Sequence, residues 1–405
     1  MIVRRFVAWS QMVPPGQRAE GVTALALGYL YSQMAPDVRS EAEAALTAVL
    51  DDPSPLVRRA LAEAFASAVE APHHCVLALA CDQPEIATLV LERSPVLTDQ
   101  DLIECVAGGQ GVSQSAIARR PGLSATVSSA LAEKASVEAL RALAENPGAD
   151  VPEFSLRRML ERFGADACMR EAMLGRAELP ACVRVDLVCA GASALTAFVR
   201  ESGWLTGDRA ERLRRDASER AIMDIALNTT MENSLEGALD IARHLRAAGR
   251  LTPALMLRAL LSGDRYLFEA ALAELSGQPL ARAAGFVRLH QGGGFVALYD
   301  RAGMPPRLLP VFQAALLAQD EAGEPASGED ARLSRSLIGQ VLQDCEALED
   351  PDLAGVMALL RRFDAEAAQH EAREITRRIC EEQKGPLALP NPAPRPLLMA
   401  LSAAS

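Results

Sequence analysis

His73, His74, Cys75 and Cys81 are residue types that hold zinc, and they fall within one short run. Imidazole nitrogen and thiolate sulfur are the ligands that zinc prefers. Neighbouring side chains on a helix point about 100° apart, so His73 and His74 are poorly placed to share one ion. No second Cys or His pair follows to complete four ligands. The expectation is therefore no metal site. Gly108-Gly109-Gln110-Gly111 and Gln291-Gly292-Gly293-Gly294 are rich enough in glycine to cradle a phosphate through backbone N–H groups. Neither is followed by the Lys-Ser/Thr of a P-loop or preceded by a strand pattern, so both read as turns between helices. His-Glu-x-x-His, Gly-x-Ser-x-Gly and Cys-x-x-Cys are all absent. With five histidines and scattered carboxylates, no acid–base pair stands out. No enzyme, catalytic residue or cofactor is expected.

Arginine doublets are the richer signal: Arg58-Arg59, Arg119-Arg120, Arg157-Arg158, Arg214-Arg215, Arg361-Arg362 and Arg377-Arg378. Two successive helical side chains cannot serve the same contact. One member of a doublet should hold neighbouring helices together, and the other should face outward. Asp52 and Arg58 are the expected members of a structural ladder. Arg59, Arg120 and Arg158 are the expected contacts to a binding partner.

These residues need helices to position them. Residues 51–66 set out the pattern: an acidic pair, Pro53 and Pro55, then Leu56, Val57, Ala60, Leu61, Ala64 and Phe65 as a wide apolar stripe. Proline stops one helix and suits the first turn of the next. Asp52 can accept hydrogen bonds from free N–H groups there. Such a helix cannot bury its stripe alone and requires neighbours of the same kind. Asp82-Gln83-Pro84, Arg120-Pro121 and Asn146-Pro147 repeat the punctuation. Thr98 with Asp101 reads as a capping box, and Thr252-Pro253 starts a further helix. No run alternates in the manner of a strand.

The totals agree. Of 405 residues, half are apolar and only 4% aromatic, which suits close helix packing. The net charge of −12 disfavours nonspecific nucleic-acid binding and anionic membranes. The eight cysteines are scattered and read as buried small residues of a reducing compartment. No signal peptide or spanning segment is recognised, so a cytoplasmic, membrane-free protein is expected.

Several separated segments together resemble a known family. They are Ala24-Leu25-Ala26 with Tyr29-Leu30-Tyr31, Asp51–Phe65, Leu77–Ala80 with Asp82-Gln83-Pro84-Glu85, and Arg93–Thr98. Ile117–Ser124, Gly249–Leu255 and Phe268–Leu272 continue the series. The chain resembles, over residues 18–315, the bacterial helical-repeat proteins of domain-of-unknown-function family 2336. The resemblance implies a HEAT-like fold and imports no activity, cofactor or site residue. The region after Asp320 is expected to lie outside it.

The resulting expectation is an all-α, HEAT-like α-solenoid of stacked helix pairs with a C-terminal helical hairpin. Its parts would be an N-terminal segment 1–17, repeats 18–202, a second helical segment 203–319, an acidic linker 320–330, the hairpin 331–383 and a Pro-rich tail 384–405. Solenoid surfaces bind macromolecules. The expected function is a non-enzymatic scaffold holding a protein partner, regulatory by fold analogy. Two alternatives are a HEAT-like nucleic-acid-binding or base-excision protein and a small-ligand sensor with an interhelical pocket. Partner identity and oligomeric state are not encoded in any recognised motif.

Overall fold

The computed structural model describes residues 6, 8–10, 12–322, 333–347 and 353–382, and among these there is no strand. The chain falls into two compact units, Met1–Ile225 and Ala226–Ser405.

The first unit carries α1 (Pro15–Tyr31), α2 (Pro36–Val49), α3 (Pro55–Phe65), α4 (His73–Ala80), α5 (Pro84–Arg93) and α6 (Asp99–Gly108). It continues with α7 (Gly111–Ala118), α8 (Ala125–Lys134), α9 (Val137–Glu145), α10 (Glu153–Phe163), α11 (Ala167–Leu174) and α12 (Ala181–Glu201). α13 (Gly207–Ala247) contains the division between the units. The starts follow local chemistry. Proline opens α1, α2, α3 and α5, where its missing N–H costs nothing. Ser124, Ser136 and Asp166 cap α8, α9 and α11 by accepting from backbone N–H groups. Thr98 and Asp101 form the capping box of α6.

Helices of this unit pack next-but-one. α1, α3, α5, α7, α9 and α11 form one contiguous row, and α6, α8, α10 and α12 form another. One core runs through the rows, from Val22 and Leu46 through Leu61, Leu91, Ile117 and Leu140 to Met159 and Val183. In α3, Val57, Leu61 and Phe65 are buried, whereas Leu56, expected on the same stripe, is half exposed at 52%. Leu56 occupies the first turn, on the side that no neighbouring helix covers.

α12 is, among the described residues, the one helix long and apolar enough to cross a membrane. Its first half carries Arg184 and Asp186 and seats Val183, Val185 and Leu187 inside the unit. Its second half exposes Leu195 and Phe198, with Trp204 edge-on to Phe198 at 5.7 Å.

The second unit contains α14 (Pro253–Leu261), α15 (Arg265–Ser276), α16 (Leu280–Arg288), α17 (Gly293–Arg301), α18 (Leu309–Ala322), α19 (Arg335–Ala347) and α20 (Ala354–Glu382). Thr252 caps α14, and Gly277 ends α15 in the left-handed region at φ 66°, open to residues without a Cβ. α19 packs between α18 and α20. Leu337, Ile338, Val341, Leu360 and Phe363 share one core with Leu260, Phe268 and Phe312. The expected hairpin 331–383 is thus part of this unit's core, because α19 is apolar toward both neighbours. Arg258, 2% exposed, fastens it: its guanidinium donates to both Glu366 carboxylate oxygens at 2.8 and 2.9 Å and lies 4.5 Å over the Phe363 ring.

The expected boundary between residues 202 and 203 falls in the turn between α12 and α13, and the division of the units falls later, at 225/226. The expected acidic linker begins inside α18, where Asp320, Glu321 and Ala322 are helical. Residues 323–330 and the tail 384–405 lie outside the described residues.

Candidate functional site

The arginines sort by what their helices place within reach. Arg18 of α1 donates from Nε and Nη2 to the Asp52 carboxylate at 2.8 and 2.9 Å. Arg58 of α3 does the same to Asp82 at 2.6 and 3.0 Å, and its Nη1 donates to the Asp52 carbonyl at 2.6 Å. Asp52 Oδ1 also accepts from the Ser54 N–H. Each carboxylate therefore closes its own turn and ties it to an arginine of another helix. Burial opposes the charge on Asp52 and Asp82, but the paired guanidinium and the backbone N–H outweigh it, so both carboxyls sit below their ordinary value.

Further along, the same task falls to carbonyls. Arg120 donates to the Leu91 and Ser94 carbonyls, both at 2.6 Å. Asn146 donates to the Ala118 and Arg120 carbonyls, both at 2.8 Å. Arg162 reaches Ala132 and Ala135, and Arg176 reaches Leu143, Ala144, Asn146 and Ala149. The last carbonyls of a helix have no partner within it, and the dipole makes that end negative. A guanidinium from the next-but-one helix or the turn after it satisfies both needs, and the Asn146 amide satisfies the first.

This overturns one expectation. Arg120 is a member of the ladder; its doublet mate Arg119 is the exposed one. The order within the doublet inverts because Arg120 follows the end of α7 whereas Arg58 sits inside α3. Arg59 pairs with Glu63 on its own helix at 2.9 Å, both half exposed. Arg158 pairs with Glu133 of α8 and Glu161 of α10, each at 3.0 Å. Arg59 and Arg158 belong to different rows, so the three expected partner contacts do not converge. Arg157 lies 3.4 Å from Asp186 of α12, so both members of that doublet bridge helices.

Arg162, Arg176 and Asn146 were not expected in the ladder, yet a signal exists. Ser94-Pro95, Arg120-Pro121 and Asn146-Pro147 recur at a spacing of 26, the separation of Arg120 from Ser94 and of Asn146 from Arg120. Each donor reaches back one repeat.

The histidines separate as their helix requires. His73 Nε2 lies 2.8 Å from Asp101 of α6, while His74 Nε2 lies 2.9 Å from Thr47 Oγ1 of α2. Cys75 Sγ is 3.4 Å from His74 Nε2, and His74 Nδ1 is 3.9 Å from Glu43. A thiol, an imidazole and a carboxylate in this order are the parts of a nucleophilic triad. Cys75, however, is completely buried; burial pushes its thiol up, and Glu43 adds to this. A protonated, enclosed sulfur cannot attack a substrate. Cys81 lies beside Cys105, whose thiol burial pushes to about 11. Among the described residues, no three His, Cys, Asp or Glu side chains gather to hold a metal.

In the second unit, Arg265 Nη1 meets Asp320 at 2.6 Å, and His290 Nδ1 lies 3.6 Å from the same carboxylate. Asp264 is 1% exposed and caps α15 at the Leu267 N–H; burial pushes its carboxyl up to about 6. Burial also raises Glu269, against the pull of Arg265 and Arg288. A cavity of about 190 Å³ in the first unit is lined by Val22, Val49 and Val57, with Ser10, Arg18, Asp51 and Asp52 as its polar side chains. Of these, Arg18 and Asp52 are committed to each other.

Among the described residues, fold and site define an all-helical protein in which Arg18, Arg58, Arg120, Asn146, Arg162 and Arg176 join neighbouring helices and turns. The family described as an uncharacterised protein conserved in bacteria, DUF2336, matches residues 86–349, and the chain belongs to it. The match begins within α5, later than residue 18, and runs through α19, past the Asp320 limit expected from resemblance. No curated protein and no solved structure matches the chain.

Proposed function

We infer that the first unit is a HEAT-like helical-repeat scaffold that binds a protein partner through the exposed surface of its rows. The carrying observation is the ladder: Arg58, Arg120, Asn146, Arg162 and Arg176 each join a helix to one packed beside it or to the turn that follows it. A chain that invests its arginines in stacking keeps a row of helices in register, and a registered row is a recognition surface. The reading is non-enzymatic and cytoplasmic, and a regulatory role is fold analogy. A net charge of −12 weighs against the nucleic-acid alternative. The commitment of Arg18 to Asp52 weighs against a ligand pocket there. Arg59 and Arg158, exposed and joined only to exposed carboxylates, remain the candidate contacts, one on each row.

The test replaces Arg59 and Arg158 separately with a photo-crosslinking residue in the native host, with mass spectrometry of the adducts. A defined protein captured from one position, and released by charge reversal there without a change in melting temperature, supports the reading. Adducts to nucleic acid alone, or to no protein from either position, would overturn it.

A further inference from the structure

The last turns of α20 stand clear of the core that anchors its beginning. Phe363 and Ala367 are buried, and Glu366 holds Arg258. Glu371 still lies 3.7 Å from Arg335 of α19, a loose exposed contact. From Ala372 to Cys380 every residue except Glu374 is exposed, with Ile375 at 58% and Ile379 at 47%. Ala368, Ala372, Ile375 and Ile379 follow one another at spacings of four, three and four. That alternation is the seam of a two-stranded coiled coil. It forms a stripe beside the core-facing Leu360, Phe363 and Ala367, so the helix carries one apolar line for its own unit and a second one for something else.

We propose that this seam pairs antiparallel with the same seam of a second copy of the chain. The charges on its flanks select that occupant and that direction. When Ala372 lies opposite Ile375 and Ala368 opposite Ile379, the flanking positions bring Glu371 against Arg378 of the second copy. The two-fold axis repeats the pair on the other side. The remaining flank positions, Gln369 and Thr376, are uncharged and oppose each other without repulsion. Arg378 makes no ion pair among the described residues, so its guanidinium is available. A parallel pairing would set Ala372 on Ala372 and leave a gap, and Glu371 would face Thr376. The antiparallel layers put a small residue against a large one throughout and satisfy both charges. This contact is independent of the partner binding inferred for the first unit.

A seam of so few turns buries a small area, so the dimer is weak, with a Kd of about 10 μM or above. Sedimentation velocity of the full chain, over roughly 1 to 300 μM, should show monomer passing to dimer. Ile375→Asp with Ile379→Asp should abolish the dimer and leave helix content and melting temperature unchanged, since both side chains are exposed. Glu371→Arg alone and Arg378→Glu alone should each weaken the dimer about tenfold, through two like-charge contacts. The double variant Glu371→Arg/Arg378→Glu should restore it, because the swapped charges meet again across the axis. A chain that stays monomeric throughout overturns the proposal. So does a dimer indifferent to the isoleucine pair, or a double charge variant no tighter than the single ones.

Discussion

Arg58 and Asp82 are 24 residues apart in sequence and meet through two hydrogen bonds of 2.6 and 3.0 Å, both side chains largely buried. The pair links α3 to the turn after α4, and the remaining Arg58 donor holds the Asp52 carbonyl. A guanidinium that loses its carboxylate here keeps its desolvation cost. Asp82→Ala should therefore destabilise the protein by about 2 kcal/mol, and Arg59→Ala, next door and exposed, by less than about 0.5 kcal/mol. The folded-state carboxyl of Asp82 lies below its ordinary value, so its contribution is present at neutral pH and is lost as pH falls through the folded value. Urea titrations of wild type and Asp82→Asn between neutral and acid pH should converge at the acid end.

The second doublet reverses the roles. Arg120→Ala removes two hydrogen bonds from the Leu91 and Ser94 carbonyls and leaves both without a cation. The expected cost is about 2 kcal/mol, against less than about 0.5 kcal/mol for Arg119→Ala. Equal midpoints for the two variants in urea would mean that Arg120 does not hold α5.

Asp264 gives the second unit a pH dependence of the opposite sign. Its folded carboxyl is raised to about 6, so its own contribution is most favourable below its ordinary value and is lost as pH rises from there to about 6, levelling off above. The loss is of order 3 kcal/mol at most, from a shift of about two units. Asp264→Asn keeps an acceptor for the Leu267 N–H and removes the charge. Melting temperature measured from pH 5 to pH 8 should be flatter for the variant, and higher than wild type at pH 8. A variant that melts lower at every pH would show that the ionised carboxylate is stabilising.

The cysteines should divide by burial. Cys81, Cys168 and Cys380 are exposed, while Cys75, Cys182, Cys189 and Cys345 are buried. Burial also pushes the Cys345 thiol to about 11, which leaves almost no thiolate at neutral pH. Brief alkylation of the native protein, mapped by mass spectrometry, should label the first three and spare the last four. Rapid labelling of Cys75 would mean that its pocket opens, and would return the Cys75–His74–Glu43 arrangement to consideration as chemistry.

Helix starts were legible because their chemistry is local. Proline at a first turn, Thr98 with Asp101, and Thr252 before Pro253 act over three or four residues, and all stand where the sequence puts them. The same locality made the histidines readable: adjacent residues on one helix diverge, and His73 and His74 reach different neighbours. The roles within the arginine doublets were not legible, since they depend on where the preceding helix ends relative to its neighbour. A shift of one residue decides whether Arg119 or Arg120 faces the carbonyls of α5. The assignment of α19 and α20 to the second unit's core was equally hidden, because an apolar stripe states that a face will be buried and not against what. Sequence alone determined that this chain is helical and where its helices begin, through hydrogen bonds and dihedral limits of the backbone. Only the tertiary structure decided which arginine carries the stack and where α19 and α20 lie, because those choices rest on contacts between residues far apart in the chain.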